Sequence, residues 1–123
     1  ISIVSPDDDT EPMDLHENAW SAVLYLRFHD VDPKGCSEEW KRKYRLFGFE
    51  DAKAVIAFLD ANEESNEAVW VHCEAGISRS AGVAKFIAER YRLPFNEGYS
   101  LYNKHVYRTL VNVYYNSYNE EQE

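Results

Sequence analysis

A cysteine at position 73 and an arginine at position 79 bracket five residues in the stretch VHCEAGISRS (71–80). Between them lie Glu74, Ala75, Gly76, Ile77 and Ser78, and His72 and Ser80 flank the pair. A short apolar run, AVWV (68–71), leads in, and an amphipathic run, SAGVAKFIAERY (80–91), leads out. The stretch therefore reads as a loop between a strand and a helix. In such a loop the backbone N–H groups from Glu74 to Arg79 have no helical partners and can converge on one point. The helix N-terminus adds the positive end of its dipole there, so the loop forms a nest for an anion. Gly76 lets the backbone curl where a Cβ would intrude. Arg79 can hold two oxygens of a phosphate with its planar fork.

Cys73 lies at the bottom of this bowl. A free thiol titrates near about pH 8.5, and converging amides, a helix dipole and a guanidinium should all acidify it. Ser80 can donate a further hydrogen bond to the sulfur. His72, on the strand, reads as a neighbour that holds the loop by hydrogen bonds and not as a proton shuttle. The ordinary fate of an isolated cysteine is to serve as a small buried hydrophobe. Arg79, Gly76 and the strand–loop–helix address favour a nucleophile instead, one placed under a phosphoryl group for in-line attack on phosphorus.

The spacing H-C-x-x-G-x-x-R-S, carried by His72, Cys73, Gly76, Arg79 and Ser80, resembles the signature of the cysteine-based protein tyrosine phosphatase superfamily. The fuller string HCEAGISRSA is most similar to its compact dual-specificity branch. The element order is similar over residues 1–115, but only the loop matches strongly in sequence. The resemblance implies a phosphatase-like α/β fold and a two-step hydrolysis of phosphomonoesters through a cysteinyl-phosphate. Cys73, Arg79 and an aspartate would be catalytic, and residues 74–79 would bind the phosphoryl oxygens. It also implies a general acid on a loop after an earlier strand, typically some thirty residues before the cysteine. Here YLRFHDVD offers Asp30 and Asp32, 43 and 41 positions before Cys73. Asp30 is chosen because it directly follows the strand, and Asp32 is the alternative acid. An insertion around PKGCSEEWKRKYRLF (33–47) accounts for the longer gap and is expected to drape over the mouth of the site.

The elements that must position these residues follow from apolar periodicity. ISIV (1–4), AVLYLRF (22–28) and AVWV (68–71) read as strands, the second apolar on both faces. DLHENAW (14–20) reads as a short helical turn. Helices are expected over 37–47, with Ser37 as cap and Trp40, Tyr44 and Phe47 as its stripe, and over 50–62, 80–91 and 99–115. Strands alternating with helices give a mostly parallel central sheet flanked by helices, and ligands in such sheets bind at the carboxyl ends of the strands. The cysteine loop has that address. Cys36 reads as a loop thiol, and His29 as a residue that caps or packs. Asn103, His105 and Arg108 read as solvated helix surface, and Tyr99, Tyr102, Val106, Leu110 and Val113 as core.

At 123 residues the chain is expected to be one domain spanning 1–123. Its formal net charge of −9 argues against nucleic acid or anionic membrane as a partner, since tracking phosphates needs clustered Lys and Arg. The acidic runs DDD (7–9) and NEEQE (119–123) read as solvated, and no apolar run approaches the roughly 20 residues that span a bilayer. Two cysteines make no disulfide framework and suit a reducing, cytoplasmic location. The chain starts at Ile1 and not at Met, which leaves a preceding segment open. No metal or other cofactor is expected, and oligomeric state is left open. The expected partner is a phosphorylated protein substrate. Two other readings stand beside it: a phosphatase of phosphoinositides or RNA 5′-phosphates, and a catalytically silent phosphate-binding module.

Overall fold

The computed structural model describes residues 1–6, 23–62, 69, 71–73, 77–96 and 98–122, with side chains as far as residue 116. The expected helical turn at 14–20, the acidic run at 7–9 and the loop residues Glu74, Ala75 and Gly76 lie outside the described residues.

The element order is β1 (Ser2–Val4), β2 (Tyr25–Arg27), α1 (Glu38–Arg42), α2 (Phe49–Ala61), α3 (Arg79–Tyr91) and α4 (Lys104–Gln122). β1 sets the β-branched Ile3 and Val4 beside Ser2, is buried along its whole length, and pairs in parallel with β2, Ser2 facing Tyr25 and Val4 facing Arg27. On its other side β1 makes one parallel bridge, Ser2 to His72. The strand expected over 68–71 is thus reduced, among the described residues, to that bridge. It carries two backbone bonds, Ile3 N–H to the His72 carbonyl at 3.0 Å and His72 N–H to the Ile1 carbonyl at 3.0 Å. β2 also departs from expectation. Only Leu26 faces the core, while Tyr25 and Arg27 are exposed, because β2 lies at the edge of this small sheet.

α4 packs against both α2 and α3. Ile3, Leu26, Phe28, Phe47, Val55, Leu59, Val83, Ile87, Val106 and Leu110 form one apolar core between sheet and helices. At about 25 cal/mol per Å² of apolar surface, each such side chain contributes about 1.5–3 kcal/mol, which offsets the entropy of ordering it. α2 starts where the Asp51 carboxylate accepts the Gly48 N–H at 2.9 Å. α3 stops at Arg92, which adopts the left-handed conformation (φ 56°). Pro94 follows, and the residue before a proline disfavours helix.

The helix expected over 37–47 is only α1. Ser37 caps it, its hydroxyl accepting the Trp40 N–H at 3.1 Å. The expected apolar stripe does not form on it, because α1 buries no residue. Trp40 and Tyr44 meet in a tilted pair near the surface, ring centroids 4.7 Å apart, and Tyr44 meets His29 edge-on. Phe47 is buried, but from the irregular segment beyond the helix, where it packs edge-on against Phe28 at 5.0 Å. That segment is anchored by Arg45. Its carbonyl accepts the His29 N–H and its own N–H donates to His29 Nδ1, both at 2.8 Å. Its guanidinium donates to the Arg27 carbonyl and to Asp51.

The last helix begins later than the expected 99–115. The turns before it are fastened to α3 by Lys85, whose ammonium faces the rings of Phe95, Tyr102 and Tyr107 at 5.1–5.3 Å. It also pairs with Glu89 at 3.2 Å. Tyr99 and Tyr102 belong to this half-buried connection and not to the core.

Candidate active site

Cys73 follows the His72 bridge, so the sheet delivers it to the carboxyl-end side of β1. It is 9 % exposed and is itself a member of the apolar core cluster. Its sulfur nevertheless meets a polar group, lying 3.2 Å from the Ser80 hydroxyl on the first turn of α3. The His72 ring is half-buried, and burial lowers its pKa below the usual 6.5. Its Nε2 is buried without a hydrogen-bond partner among the described residues, and the His72 backbone ties the start of the loop to β1.

Arg79 opens α3 and is 6 % exposed. Its Nη1 donates to Ser5 Oγ at 2.9 Å and to the Phe28 carbonyl at 3.0 Å. Ser5 follows β1 and Phe28 follows β2, so the carboxyl ends of both strands grip the same nitrogen. This turns the side-on edge of the guanidinium, Nε and Nη2, away from the grip. Nε is buried and has no partner among the described residues. A buried unsatisfied N–H costs about 1–3 kcal/mol and calls for a physical reason; Ser2 Oγ, His72 Nε2 and Arg90 Nη1 are likewise buried without a partner among the described residues.

Ser78 precedes α3 in the N-cap position, yet its side chain makes no capping bond. Its hydroxyl donates instead to Asp30 Oδ1 at 2.8 Å. The first amides of α3 therefore lack a side-chain acceptor from the position that usually supplies one. Ile77 is exposed, and its carbonyl accepts the hydroxyl of Tyr99.

The two candidate acids have separate surroundings. Asp30 is exposed at the end of the segment after β2, and its Oδ1 accepts both from Ser78 and from Asn103 Nδ2, the latter at 2.9 Å. Asp32 accepts the Lys34 N–H at 3.1 Å and an Arg108 N–H at 3.0 Å. Partial burial alone would raise the pKa of Asp32. The two hydrogen bonds and the positive charge of Arg108 outweigh burial and leave it below the usual value. Asp32 is thus held as an anion away from Ser78. It opens a turn in which Gly35 (φ 81°) takes the left-handed position and the Cys36 N–H closes on the Pro33 carbonyl. Cys36 is a half-exposed thiol in that turn, directed at the Asp32 carbonyl.

Of the three residues read from sequence as solvated surface, Asn103 and Arg108 fasten the acid loop, and His105 meets the segment after α1. Asn103 is 6 % exposed and donates to Asp30 and to the Val31 carbonyl. Arg108 pairs with Asp32. His105 Nε2 lies 2.7 Å from the Phe47 carbonyl. The signal that identifies Asn103 was present: an asparagine just before an apolar helical run is an N-cap, and Asn103 Oδ1 accepts the Val106 N–H at 3.1 Å. The segment expected to drape over the mouth is held by contacts to Arg27, His29 and Asp51.

Comparison with family models, curated proteins and solved structures finds no match. The functional argument therefore rests on this chain's own geometry. Among the described residues no group of His, Cys, Asp or Glu could hold a metal ion, and no helix is long and apolar enough to cross a membrane. A cleft of about 340 Å³ between α3 and α4, lined by Phe86, Arg90, Val111 and Tyr114 among others, shares no lining residue with the Cys73 cluster.

Proposed function

We propose that the chain is a phosphomonoester hydrolase of the protein tyrosine or dual-specificity phosphatase type, with Cys73 as nucleophile, Arg79 as oxyanion holder and Asp30 as general acid. The observation that carries this reading is the guanidinium of Arg79. It is anchored by Nη1 to the ends of both strands, while Nε is left as a buried donor without a partner among the described residues. A phosphoryl group satisfies such an edge with two oxygens. A reading of Arg79 as mere packing gives no reason to bury the unsatisfied donor.

In the first step the Cys73 thiolate, accepting a hydrogen bond from Ser80, forms a bond to phosphorus as the ester P–O bond breaks. Asp30 supplies the proton that the departing oxygen needs. In the second step the Asp30 carboxylate takes a proton from water, the water oxygen bonds to phosphorus, the S–P bond breaks and the thiolate returns. Arg79 and the first amides of α3 stabilise the equatorial oxygens in both steps. The favoured substrate is a phosphorylated protein, with phosphotyrosine first. Phosphoinositides rank lower because Glu74, Ile77 and Ser78 bring no lysine into the loop. A nucleophilic thiol must stay reduced, which suits a cytoplasmic location.

A second reading, a phosphate-binding module without turnover, is favoured by the burial of Cys73 against the core. One experiment separates the two: hydrolysis of p-nitrophenyl phosphate and of a phosphotyrosine peptide by the wild type and by Cys73→Ser, together with peptide binding. The proposed enzyme turns over as wild type, not as Cys73→Ser, and forms a covalent phosphoprotein adduct on Cys73 that a rapid denaturing quench traps. A binding module binds the peptide in both forms and hydrolyses neither substrate. Asp30→Asn is expected to slow the phosphotyrosine reaction by about 10²-fold or more, whereas Asp32→Asn leaves it nearly unchanged.

A further inference from the structure

We infer that Asn103 is a positioning residue that, together with Ser78, selects which oxygen of Asp30 carries the transferable proton; this rests on the hydrolase reading above. The donors converge on a single atom. Ser78 Oγ at 2.8 Å and Asn103 Nδ2 at 2.9 Å both point at Asp30 Oδ1. A neutral carboxylic acid has one carbonyl-type oxygen, which accepts, and one hydroxyl oxygen, which donates. With two donors on Oδ1, that oxygen must be the acceptor, and the proton belongs on Oδ2. The clamp so fixes the rotation of an exposed side chain that would otherwise present either oxygen.

Asn103 is itself held on every polar group it has. Its backbone N–H donates to the Ser78 carbonyl at 2.9 Å, and its own carbonyl accepts the Tyr107 N–H at 3.2 Å. Its side-chain oxygen accepts the Val106 N–H at 3.1 Å, and its amide also reaches the Val31 carbonyl at 3.3 Å. One residue thereby joins three parts of the site: the acid loop at Asp30 and Val31, the cysteine–arginine loop at Ser78, and the start of α4. Arg108, one helical turn along α4, anchors the same loop at Asp32. A residue needed only to cap α4 has no use for an amide aimed at a carboxylate across the site. Serine or aspartate caps as well.

The test uses that difference. Asn103→Asp keeps the shape and the acceptor for Val106 but removes the donor, and Asn103→Ser keeps a capping oxygen without reach to Asp30. Ser78→Ala removes the other donor without touching α4, should either asparagine variant fold poorly. Turnover is measured on a phosphotyrosine peptide, whose leaving group needs a proton, and on p-nitrophenyl phosphate, whose leaving group departs as a stable anion. The expected result is a roughly 10- to 100-fold loss on the peptide and less than about threefold on the nitrophenyl ester. In an Asp30→Asn background the Asn103 substitution should add no further loss, because the two act as one unit. Equal losses on both substrates, additive losses in the double variant, or unchanged peptide turnover in Asn103→Ser and Ser78→Ala would each overturn the inference while leaving the hydrolase reading intact. Absence of any wild-type turnover would instead remove that reading, and the inference with it.

Discussion

Gly82 lets α3 approach Asn103 and the first turn of α4 closely, and enlarging it tests the packing that holds Asn103. A Cβ built at Gly82 lies 2.8 Å from the Asn103 carbonyl oxygen, 3.2 Å from Val106 Cβ and 3.3 Å from Val106 Cγ1. Favourable carbon contacts sit at roughly 3.5–4.0 Å, so Gly82→Ala places one methyl group inside the repulsive wall of three atoms. The closest of these is backbone and cannot rotate aside. Overpacking of this kind costs about 1–3 kcal/mol, and alanine returns about 1 kcal/mol through its better helix propensity. With a backbone atom as the obstacle, the net is a destabilisation of about 1–2 kcal/mol. Urea denaturation should show a lower midpoint with an unchanged slope, and the melting temperature should fall by roughly 3–10 °C. Because the obstacle is Asn103 itself, the surviving folded protein should also lose turnover on phosphotyrosine more than on p-nitrophenyl phosphate. A neutral or stabilising Gly82→Ala, the usual outcome for an exposed helical glycine, would refute the close approach of α3 to Asn103.

Arg79→Lys should lower kcat/KM on p-nitrophenyl phosphate by about 10²–10³-fold. An ammonium cannot keep both the Ser5 and Phe28 contacts and a side-on fork, so retention of near-normal kcat/KM would contradict the role drawn for Nε. Arg92→Gly should raise stability by about 0.5–1 kcal/mol in urea denaturation, since a non-glycine residue holds the left-handed turn after α3; a loss of stability would show that the Arg92 side chain contributes more than its strain costs. Burial holds the His72 imidazole below its usual value of 6.5. The unfolded chain therefore takes up a proton first, and this contribution to stability, present above about pH 6.5, is lost as pH falls through the folded value. Urea midpoints measured from about pH 7.5 to about pH 5.5 should decline, and the decline should be shallower in His72→Asn.

Much of the frame was readable because burial imposes a period. Ile3 and Val4 in a β-branched run, and Val55 with Leu59 or Val83 with Ile87 at helical spacing, fall where apolar patterning puts them. Trp40, Tyr44 and Phe47 show the limit of that logic. The spacing i, i+4, i+7 suits a helical stripe, but Arg45 makes tertiary bonds to Arg27 and His29, and these hold the chain in an irregular path after α1. Local propensity yields there to long-range hydrogen bonding. Beside the strand expected over 68–71, the one bridge to β1 among the described residues is at His72, for pairing partners lie far apart in sequence and leave no local mark. In the site, Cys73, Ser80 and Arg79 were legible because one short motif carries them together. Asn103 was legible only as a helix cap, and its bond to Asp30 was not, since that partner lies 73 positions away. Asp30 and Asp32 look alike in the sequence and are told apart only by Ser78, Asn103 and Arg108.

The double anchorage of Arg79 has a thermodynamic corollary. Its two acceptors, Ser5 and the Phe28 carbonyl, lie 74 and 51 residues away along the chain. A half-collapsed intermediate that has not yet brought β1, β2 and α3 together offers no oriented guanidinium, and so has little affinity for a tetrahedral oxyanion. Vanadate or inorganic phosphate should then act as a reporter of complete assembly. At a hundredfold excess over its dissociation constant, such a ligand would shift the folding equilibrium by about 2.7 kcal/mol.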